Sequence, residues 1–567
     1  MILLPEDRIA GVLAPLFALR TDDDLGIGDV EALRQFIDWA AGVGFRLVQM
    51  LPINEIGGDN SPYNAISAVA IEPTTLRLAP GSPAELTPED FAAVTAEHPP
   101  AKLRKGAVKY DRVRPLKLAL LEKAFVQFRR RPATDRSEEF VAFCTREKSW
   151  LDPYAFFRAL MEQNEGSEVW DQWREEHRSS AAAREWRAAL SDEESAAFDE
   201  REMFFRYVQW VAADQWSEIK NYADGRGVAL MGDIPFGVSL YSADVFAHPE
   251  QFALDSCGGA PPEPYFKDDE FTQKWGQNWG IPLYRWDVMR DRNFDWWRQR
   301  VRGVARGFHV FRIDHVLGFY RIYSFPWRPT RNNEFLPLTW DEMRERTGGE
   351  VPHFTPRDDS NAEKCEANRH EGETYLRVVL EEAADLRVVG EDLGTVPDYV
   401  RPSLRSLTIA GFKIPQWENH QDGRSIAGAE YERVSVATYA THDHKPLRAL
   451  WGEASSDETN ENTEQARNDL AKIAEFAGIP APNELSDYER GFYEPVMKAL
   501  FQCESWLAIV MITDLLARKD RFNVPGTAIG SNWSQRMHLT VAKLTSNRAV
   551  KKRMKLVKQL LEGTGRL

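Results

Sequence analysis

Eight short hydrophobic runs, each apolar throughout, constrain the fold of this chain more than any other feature of its sequence. Strands that are buried on both faces of a parallel sheet have this pattern, because neither face meets water. Helical segments precede several of the runs, such as the one from the capping pattern Ser191–Glu194 to Gly225. Alternating helices and strands are typical of βα units, and eight strands predict an α/β fold, a (β/α)8 (TIM) barrel. The predicted strands are Val12–Leu19, Leu47–Pro52, Val228–Phe236, Phe308–His315, Arg387–Leu393, Phe412–Trp417, Val434–His442 and Leu507–Leu515.

The connection between the second and third predicted strands is far too long for one βα unit. Residues 81–222 are rich in Glu, Arg and Ala with helical periodicity, and we predict that they form a large, mostly helical insertion subdomain. Residues 1–80 would then hold the first barrel strands and a short turn, and residues 223–567 the remainder of the barrel. Smaller insertions are expected as long loops at 255–282, which is rich in Gly, Pro and aromatic residues, and at 320–385.

Charge and cysteine content exclude several classes of protein. Lys+Arg 71 against Asp+Glu 87 gives a net charge of -16, so we expect neither nucleic acid nor an anionic membrane surface as a partner. The sequence has no run of 18 apolar residues and no basic segment before its first apolar run, so we predict no transmembrane helix and no signal peptide. Four widely spaced cysteines indicate neither a zinc site nor a disulfide framework, and favour the cytoplasm. Protein partners and oligomeric state are not predicted.

Three of the predicted strands end in carboxylates, which are Asp314, Glu391 and Asp443. Barrel enzymes carry their catalytic groups at these strand ends. Carboxylates that meet at a barrel mouth suit glycoside chemistry, in which one attacks the sugar and another protonates the leaving oxygen. Arg312 and Asp314 lie on one face of their strand, and the guanidinium would keep Asp314 ionised, as a nucleophile requires. The 18 Trp residues offer flat faces for sugar rings, although a large core would also use them.

These residues also have structural interpretations. An Asp at a strand end often caps the next helix, and an Arg–Asp pair often serves only as an ion pair. The triplet from His442 to His444 has two imidazoles that would suit a metal, but the sequence indicates no third ligand. It also has no P-loop, no dinucleotide-binding glycine pattern and no H-E-x-x-H.

Motifs in a fixed order carry a resemblance to a known family. F-R-I-D-H (Phe311–His315), G-E-D-L-G (Gly390–Gly394) and T-H-D (Thr441–Asp443) resemble the amylomaltases, the 4-α-glucanotransferases of glycoside hydrolase family 77 in the α-amylase clan. Together with weaker matches, the resemblance covers nearly the whole chain. The weaker matches are Leu25–Asp29, Gln49–Pro52, Asn60–Tyr63, Gly232–Pro235, Ser242–Val245, Gly276–Tyr284, Asn523–Thr527 and Asn532–Trp533.

The resemblance implies a transferase of carbohydrate metabolism that moves α-1,4-glucan segments between maltooligosaccharides or starch- and glycogen-type glucans. It implies Asp314 as the nucleophile of a retaining reaction, Glu391 as the acid/base and Asp443 as the stabiliser of the transition state, with no cofactor and no metal. A retaining enzyme has these first two carboxylates roughly 5–5.5 Å apart. The substrate-binding residues it implies are Ser61, Tyr63, Gln277, Trp279, Arg312, His315, His442 and Asn523.

Two positions depart from the family pattern. Tyr241 stands where the family more often carries an Asp, and His444-Lys445-Pro446 follows Asp443 where many members carry an Asn-Asp-Thr-like string. We expect both departures to affect the length of glucan chain that the protein prefers, and neither alters the three carboxylates.

The catalytic carboxylates do not decide whether a sugar or water resolves the covalent intermediate, since this depends on acceptor binding and water exclusion. Aromatic cover from the 255–282 segment would favour a sugar. A retaining α-glucan hydrolase therefore stays an alternative, and a non-catalytic glucan-binding protein a second one. The sequence predicts neither the physiological donor and acceptor nor a cyclisation activity. The aromatic residues in question are Tyr265, Phe266, Trp275 and Trp279.

Overall fold

A computed structural model describes residues 3–130, 135–262, 269–458, 460–480, 487–525 and 530–567 of the chain. Its strands fall into two sheets, one parallel and one antiparallel. In chain order they are β1 (Ile9–Leu13), β2 (Leu47–Gln49), β3 (Ala229–Ile234), β4 (Phe252–Ala260), β5 (Gln277–Tyr284), β6 (Val310–Ile313), β7 (Ile322–Phe325), β8 (His353–Thr355), β9 (Arg387–Gly390), β10 (Gly411–Lys413), β11 (Ser435–Ala437) and β12 (Leu507–Met511).

The parallel sheet has eight strands within the described residues, in the order β10-β11-β12-β1-β2-β3-β6-β9. It closes on itself through a parallel bridge between Val389 and Ala410, beside which the Gly390 N–H donates to the Ala410 carbonyl at 2.9 Å. Every residue of β1, β2, β3, β6 and β12 is buried, as the continuous hydrophobic runs predict. The predicted (β/α)8 barrel is therefore confirmed.

All eight predicted runs overlap a barrel strand, and each extends past the C-terminal end of its strand, as the first and the last illustrate. The first strand ends at Leu13, because Pro15 has no N–H for the strand ladder and a 3-10 turn begins at Leu16. The last strand ends at Met511, because the next four residues, Ile512 to Leu515, form a helical turn.

Helices surround the barrel, and those of the segment 81–222 precede the third strand. None of the helices in the described part of the chain is both long and apolar enough to cross a membrane. The helices are α1 (Val30–Val43), α2 (Pro88–Glu97), α3 (Pro100–Leu103), α4 (Tyr110–Arg130), α5 (Asp135–Gln163), α6 (Ser180–Ala188), α7 (Asp192–Gly225), α8 (Ala243–Ala247), α9 (Glu270–Trp275), α10 (Trp286–Asp291), α11 (Asp295–Gly307), α12 (Asn332–Phe335), α13 (Trp340–Arg346), α14 (Ala362–Ala383), α15 (Val400–Ser406), α16 (Leu447–Ala454), α17 (Glu461–Ala477), α18 (Glu494–Gln502), α19 (Ile512–Leu515), α20 (Val541–Ser546) and α21 (Arg548–Gly563).

The expectation of long loops at 255–282 and 320–385 is wrong for the described residues. The two segments together supply an antiparallel sheet of order β5-β4-β7-β8, and the second also contains α12, α13 and α14. Glycines that suggest a loop instead allow close packing of strands: a Cβ at Gly259 would lie 1.8 Å from the Gln277 carbonyl oxygen. The aromatic residues fill a small core of this sheet, which includes Trp275, Phe325 and Trp327. Burial of these side chains stabilises strands that local sequence does not indicate.

Candidate active site

The three carboxylates at the strand ends, Asp314 after β6, Glu391 after β9 and Asp443 after β11, line one cleft of about 1200 Å³. Parallel strands of a closed barrel present their C-terminal ends at the same rim, which explains why residues so distant in the chain meet. The four-stranded sheet contributes Gly259, Gln277 and Trp279 to the wall of the same cleft.

Asp314 and Asp233 share the guanidinium of Arg312. Arg312 is buried on β6, and its Nη2 lies 2.7 Å from Asp314 Oδ1 while its Nη1 lies 2.6 Å from Asp233 Oδ2. The second contact follows from sheet register, since Asp233 of β3 pairs with Arg312. Burial raises the pKa of Asp233 to about 6, although Arg312 opposes the shift. The guanidinium thus fixes one carboxylate oxygen of Asp314, a residue that lines the cleft.

Glu391 occupies a different electrostatic environment. Its Oε2 accepts a hydrogen bond from the backbone N–H of His315 at 2.9 Å. Burial raises the pKa of Glu391 to about 8, and the negative charge of Asp314 acts in the same direction while Arg312 opposes both. A carboxyl group that keeps its proton at neutral pH is suited to protonate a leaving oxygen.

The backbone of His315 is left-handed, with φ 46° and ψ 54°. This conformation is uncommon for a residue with a Cβ, and here it accompanies the N–H bond to Glu391. The His315 ring lies edge-on to Trp279, with 4.8 Å between ring centroids. Burial lowers the pKa of His315 to about 4, so the ring is neutral and offers one donor and one acceptor to a ligand.

Asp443 is held in its ionised form. Burial alone would raise the pKa of Asp443, but the His442 ring and a hydrogen bond from Asn523 outweigh it and the pKa is lowered. The Asn523 Nδ2 donates to Asp443 Oδ1 at 2.7 Å. Tyr63 stacks on His442 with 5.1 Å between centroids and donates its hydroxyl to Asp233 Oδ2 at 2.7 Å. Tyr63 therefore contacts a neighbour of Asp443, which is His442, and is linked to Asp314 through Asp233 and Arg312.

The predicted substrate-binding residues do not all reach the cleft. Tyr63, Gln277, Trp279, His442 and Asn523 line it together with Arg312 and His315. Ser61 lies outside the described wall, and its Oγ instead accepts the Tyr63 N–H at 3.3 Å, so it shapes the turn that carries Tyr63.

The expected aromatic cover is present only in part. Trp279 is 37% exposed at the cleft, and its Nε1 donates to Gln277 Oε1 at 3.0 Å. Trp275 does not cover the site: it is fully buried in the core of the four-stranded sheet and donates to the Phe335 carbonyl at 3.1 Å. Tyr265 and Phe266 lie outside the described residues.

Two residues of the site have no role predicted from the sequence: Asp233, which contacts Arg312 and lies outside the described wall of the cleft, and Trp417, which lines it. Asp233 is a carboxylate inside an otherwise apolar strand, and a charge in a strand that is buried on both faces indicates a buried partner. Trp417 follows β10 and is 39% exposed at the cleft. A tryptophan at the C-terminal end of a barrel strand is the sequence signal that indicates it.

Tyr241, the first departure from the family pattern, lies outside the described wall of the cleft. Its hydroxyl donates to Asp171 Oδ2 at 3.3 Å, and the same oxygen lies 2.7 Å from Arg328 Nη1. The tyrosine thus makes a contact between protein segments.

Comparison with known proteins identifies the family of this chain. The family model described as 4-alpha-glucanotransferase, glycoside hydrolase family 77, matches residues 14–541. A 4-alpha-glucanotransferase of Chlamydia caviae is 30% identical over 551 residues, covering 95% of this chain and 92% of the relative. A 4-alpha-glucanotransferase of Thermus thermophilus is 28% identical over 545 residues, covering 94% of this chain and 95% of the relative.

Solved structures share the fold. The amylomaltase from Streptococcus agalactiae in complex with acarbose superposes with a TM-score of 0.72 at 23% identity, covering 99% of this chain and 100% of that chain. The amylomaltase from Corynebacterium glutamicum gives a TM-score of 0.77 at 21% identity, covering 97% of this chain and 75% of that chain. With the barrel, the family match and the full-length relatives taken together, the chain belongs to glycoside hydrolase family 77, the 4-α-glucanotransferases.

Proposed function

We propose that this 4-α-glucanotransferase moves α-1,4-glucan segments between maltooligosaccharides, or starch- and glycogen-type glucans, by a retaining double displacement on Asp314. One observation carries the proposal: two carboxyl groups of one cleft have opposite electrostatic environments. Asp314 contacts the buried guanidinium of Arg312, whereas burial raises the pKa of Glu391 to about 8. A charged nucleophile beside a protonated acid is the combination that retaining glycoside chemistry requires.

In the first step, a carboxylate oxygen of Asp314 attacks the anomeric carbon and the bond to the leaving sugar breaks. Glu391 gives its proton to the leaving oxygen, and the donor segment stays bound to Asp314 as a glycosyl ester. In the second step, Glu391 takes the proton of an acceptor hydroxyl, whose oxygen attacks the anomeric carbon and releases Asp314. Asp443 and His442 would hold hydroxyls of the distorted sugar and stabilise the positive charge of the transition state.

We also infer that the protein works in the cytoplasm and needs no metal or organic cofactor for this reaction. The two steps move protons only between carboxyl groups and sugar hydroxyls. The inference on location rests on the four cysteines, which are all unpaired, as is usual in a reducing compartment.

Purified protein incubated with maltotriose tests the reaction. We expect glucose together with a ladder of longer oligomers, at a constant number of reducing ends. A rising number of reducing ends with only shorter products would identify a hydrolase, and glucan binding without turnover would identify a binding protein.

The variant Asp314→Asn tests the nucleophile. An amide cannot form the glycosyl ester, so we expect the turnover of maltotriose to fall by about a thousandfold or more. Asp358→Asn, at an exposed aspartate that pairs with Lys364 outside the described wall of the cleft, is the matched control and should keep its activity. Near-normal activity of Asp314→Asn, with an unchanged melting curve, would refute the assignment.

A further inference from the structure

One branch of the cleft is not used by the two steps above. This branch is the part of the cleft wall formed by Trp417, by His444, and by Gln465 and Asp469 of α17. Strand order places this branch relative to the catalytic groups, because β9, β10 and β11 follow one another and β6 lies on the other side of β9. The branch therefore begins on the side of Glu391 that faces away from Asp314.

His444 presents a fixed hydrogen-bond donor in this branch. Its Nδ1 accepts the backbone N–H of Thr441 at 2.9 Å and lies 2.8 Å from the Thr441 hydroxyl. Burial lowers the pKa of His444 to about 4, although Asp443 opposes the shift, so the ring is neutral. A neutral ring whose Nδ1 is an acceptor carries its proton on Nε2. Among the described residues, no protein atom accepts a hydrogen bond from this N–H.

The surroundings of His444 have the chemistry of a sugar site. Its ring contacts Trp417 with 5.0 Å between centroids, and the exposed part of the Trp417 indole is a flat apolar face for a sugar ring. The polar groups are already ordered: Glu453 pairs with Lys445 at 2.8 Å, and Gln465 donates to Asp469 at 2.8 Å. An aromatic face with carboxylate, amide and imidazole groups around it matches a ring with several hydroxyls.

We propose that this branch binds the acceptor saccharide, and that the His444 Nε2–H donates to one of its hydroxyls and so determines acceptor affinity. The inference rests on the proposed function, in which Glu391 exchanges a proton with the leaving sugar and then with the acceptor. Both sugars bind through the oxygen next to Glu391, on the side of the anomeric carbon opposite Asp314, and the branch begins beside Glu391. His444 stands at a position where the family pattern differs, so its effect is specific to chains with this residue.

The experiment uses α-maltosyl fluoride as the donor and maltose as the acceptor. Fluoride leaves without a sugar in the branch, so fluoride release reports glycosylation of Asp314, and maltotetraose formation reports use of the acceptor. His444→Asn keeps an oxygen near the position of Nδ1 for the Thr441 N–H but lacks the distal donor. His444→Gln instead places an amide N–H near the position of Nε2. Trp417→Ala removes the aromatic face.

We expect His444→Asn to raise the KM for maltose about tenfold, the effect of one lost hydrogen bond, without a matching change in the KM for maltosyl fluoride. His444→Gln should recover part of the acceptor affinity. Trp417→Ala should raise the KM for maltose without a matching rise in the KM for maltosyl fluoride. Trp340→Ala, at an exposed tryptophan outside the described wall of the cleft, is the matched control and should change neither constant.

Two results would overturn the inference and remain distinguishable. In the first, wild-type protein forms maltotetraose and the three branch variants have the wild-type KM for maltose, or an equal rise in the KM for maltose and the KM for maltosyl fluoride. The branch is then not the acceptor site. In the second, wild-type protein releases fluoride but forms no maltotetraose. This result would refute the proposed transfer reaction and, with it, the proposed acceptor site. Melting curves of all variants exclude misfolding as the cause.

Discussion

Single residues of the cleft take their chemistry from their neighbours. The carboxyl group of Glu391 accepts one backbone N–H and has its pKa raised by burial, whereas the carboxyl group of Asp314 contacts a guanidinium directly. The spacing of Arg312 and Asp314 on one strand predicts their contact from the sequence. The bond from the His315 N–H to Glu391 joins residues that follow two different strands, and only the structure reveals it.

Glu391 should control the pH dependence on the alkaline side. Because its pKa is raised to about 8, the acid form is present below this pH and is lost above it. We expect kcat/KM for maltotriose to fall about tenfold per pH unit above pH 8, because glycosylation then lacks its proton donor. The same constant measured with maltosyl fluoride should stay level, since fluoride leaves without a proton. A decline of equal steepness with both donors would contradict the role of Glu391.

At the scale of the secondary-structure elements, the contact between β9 and β10 closes the barrel, and hydrogen bonds from the side chain of Asp392 strengthen this contact. The Asp392 Oδ1 accepts the Phe412 N–H at 2.6 Å, and Oδ2 accepts the Arg401 Nε–H at 3.1 Å. Space for this carboxylate depends on Gly411, where a Cβ would lie 2.8 Å from Asp392 Oδ2. The Phe412 N–H of β10 thus bonds to the Asp392 side chain instead of to a backbone carbonyl of β9, at the residue next to Glu391.

Asp392→Ala should lower the free energy of unfolding by about 2–4 kcal/mol, because a buried N–H and a guanidinium lose their acceptor. It should also lower kcat, since Glu391 is the adjacent residue. Urea denaturation and the maltotriose assay measure the two effects. Glu432→Ala removes the exposed partner of Arg405 and, as a surface pair, should change stability by less than about 1 kcal/mol. Equal effects of the two substitutions would show that Asp392 does not support the closure.

At the scale of the whole molecule, one arginine near the end of the chain links the first barrel strand, β1, to the last, β12. Arg566 is fully buried, and it donates to backbone carbonyls next to the first and last strands. Burial lowers the pKa of Arg566 to about 10, so it stays charged at neutral pH without a described carboxylate partner. The carbonyls belong to Ile9, Phe501, Cys503, Ser505 and Trp506.

Arg566→Ala should lower the free energy of unfolding by more than about 3 kcal/mol, because several buried carbonyls lose their donor at once. Arg566→Lys should recover only part of this loss, since a single ammonium cannot reach all of the carbonyls. Denaturation in urea checks both values, with Lys555→Ala on the exposed face of α21 as the matched control. A loss for Arg566→Ala no larger than for Lys555→Ala would refute the role of Arg566.

The barrel and the carboxylates at its strand ends follow from the sequence, because continuous hydrophobic runs, helix caps and strand ends are local patterns that one chain segment carries by itself. Family motifs then assign roles to Asp314, Glu391 and Asp443, which remain to be tested.

Other features depend on the tertiary structure alone. The four-stranded sheet, the link from Tyr63 through Asp233 to Arg312, and the branch at His444 all join segments far apart in the chain. Their stability comes from burial and from hydrogen bonds between distant groups, and no local pattern encodes which distant group will be the partner.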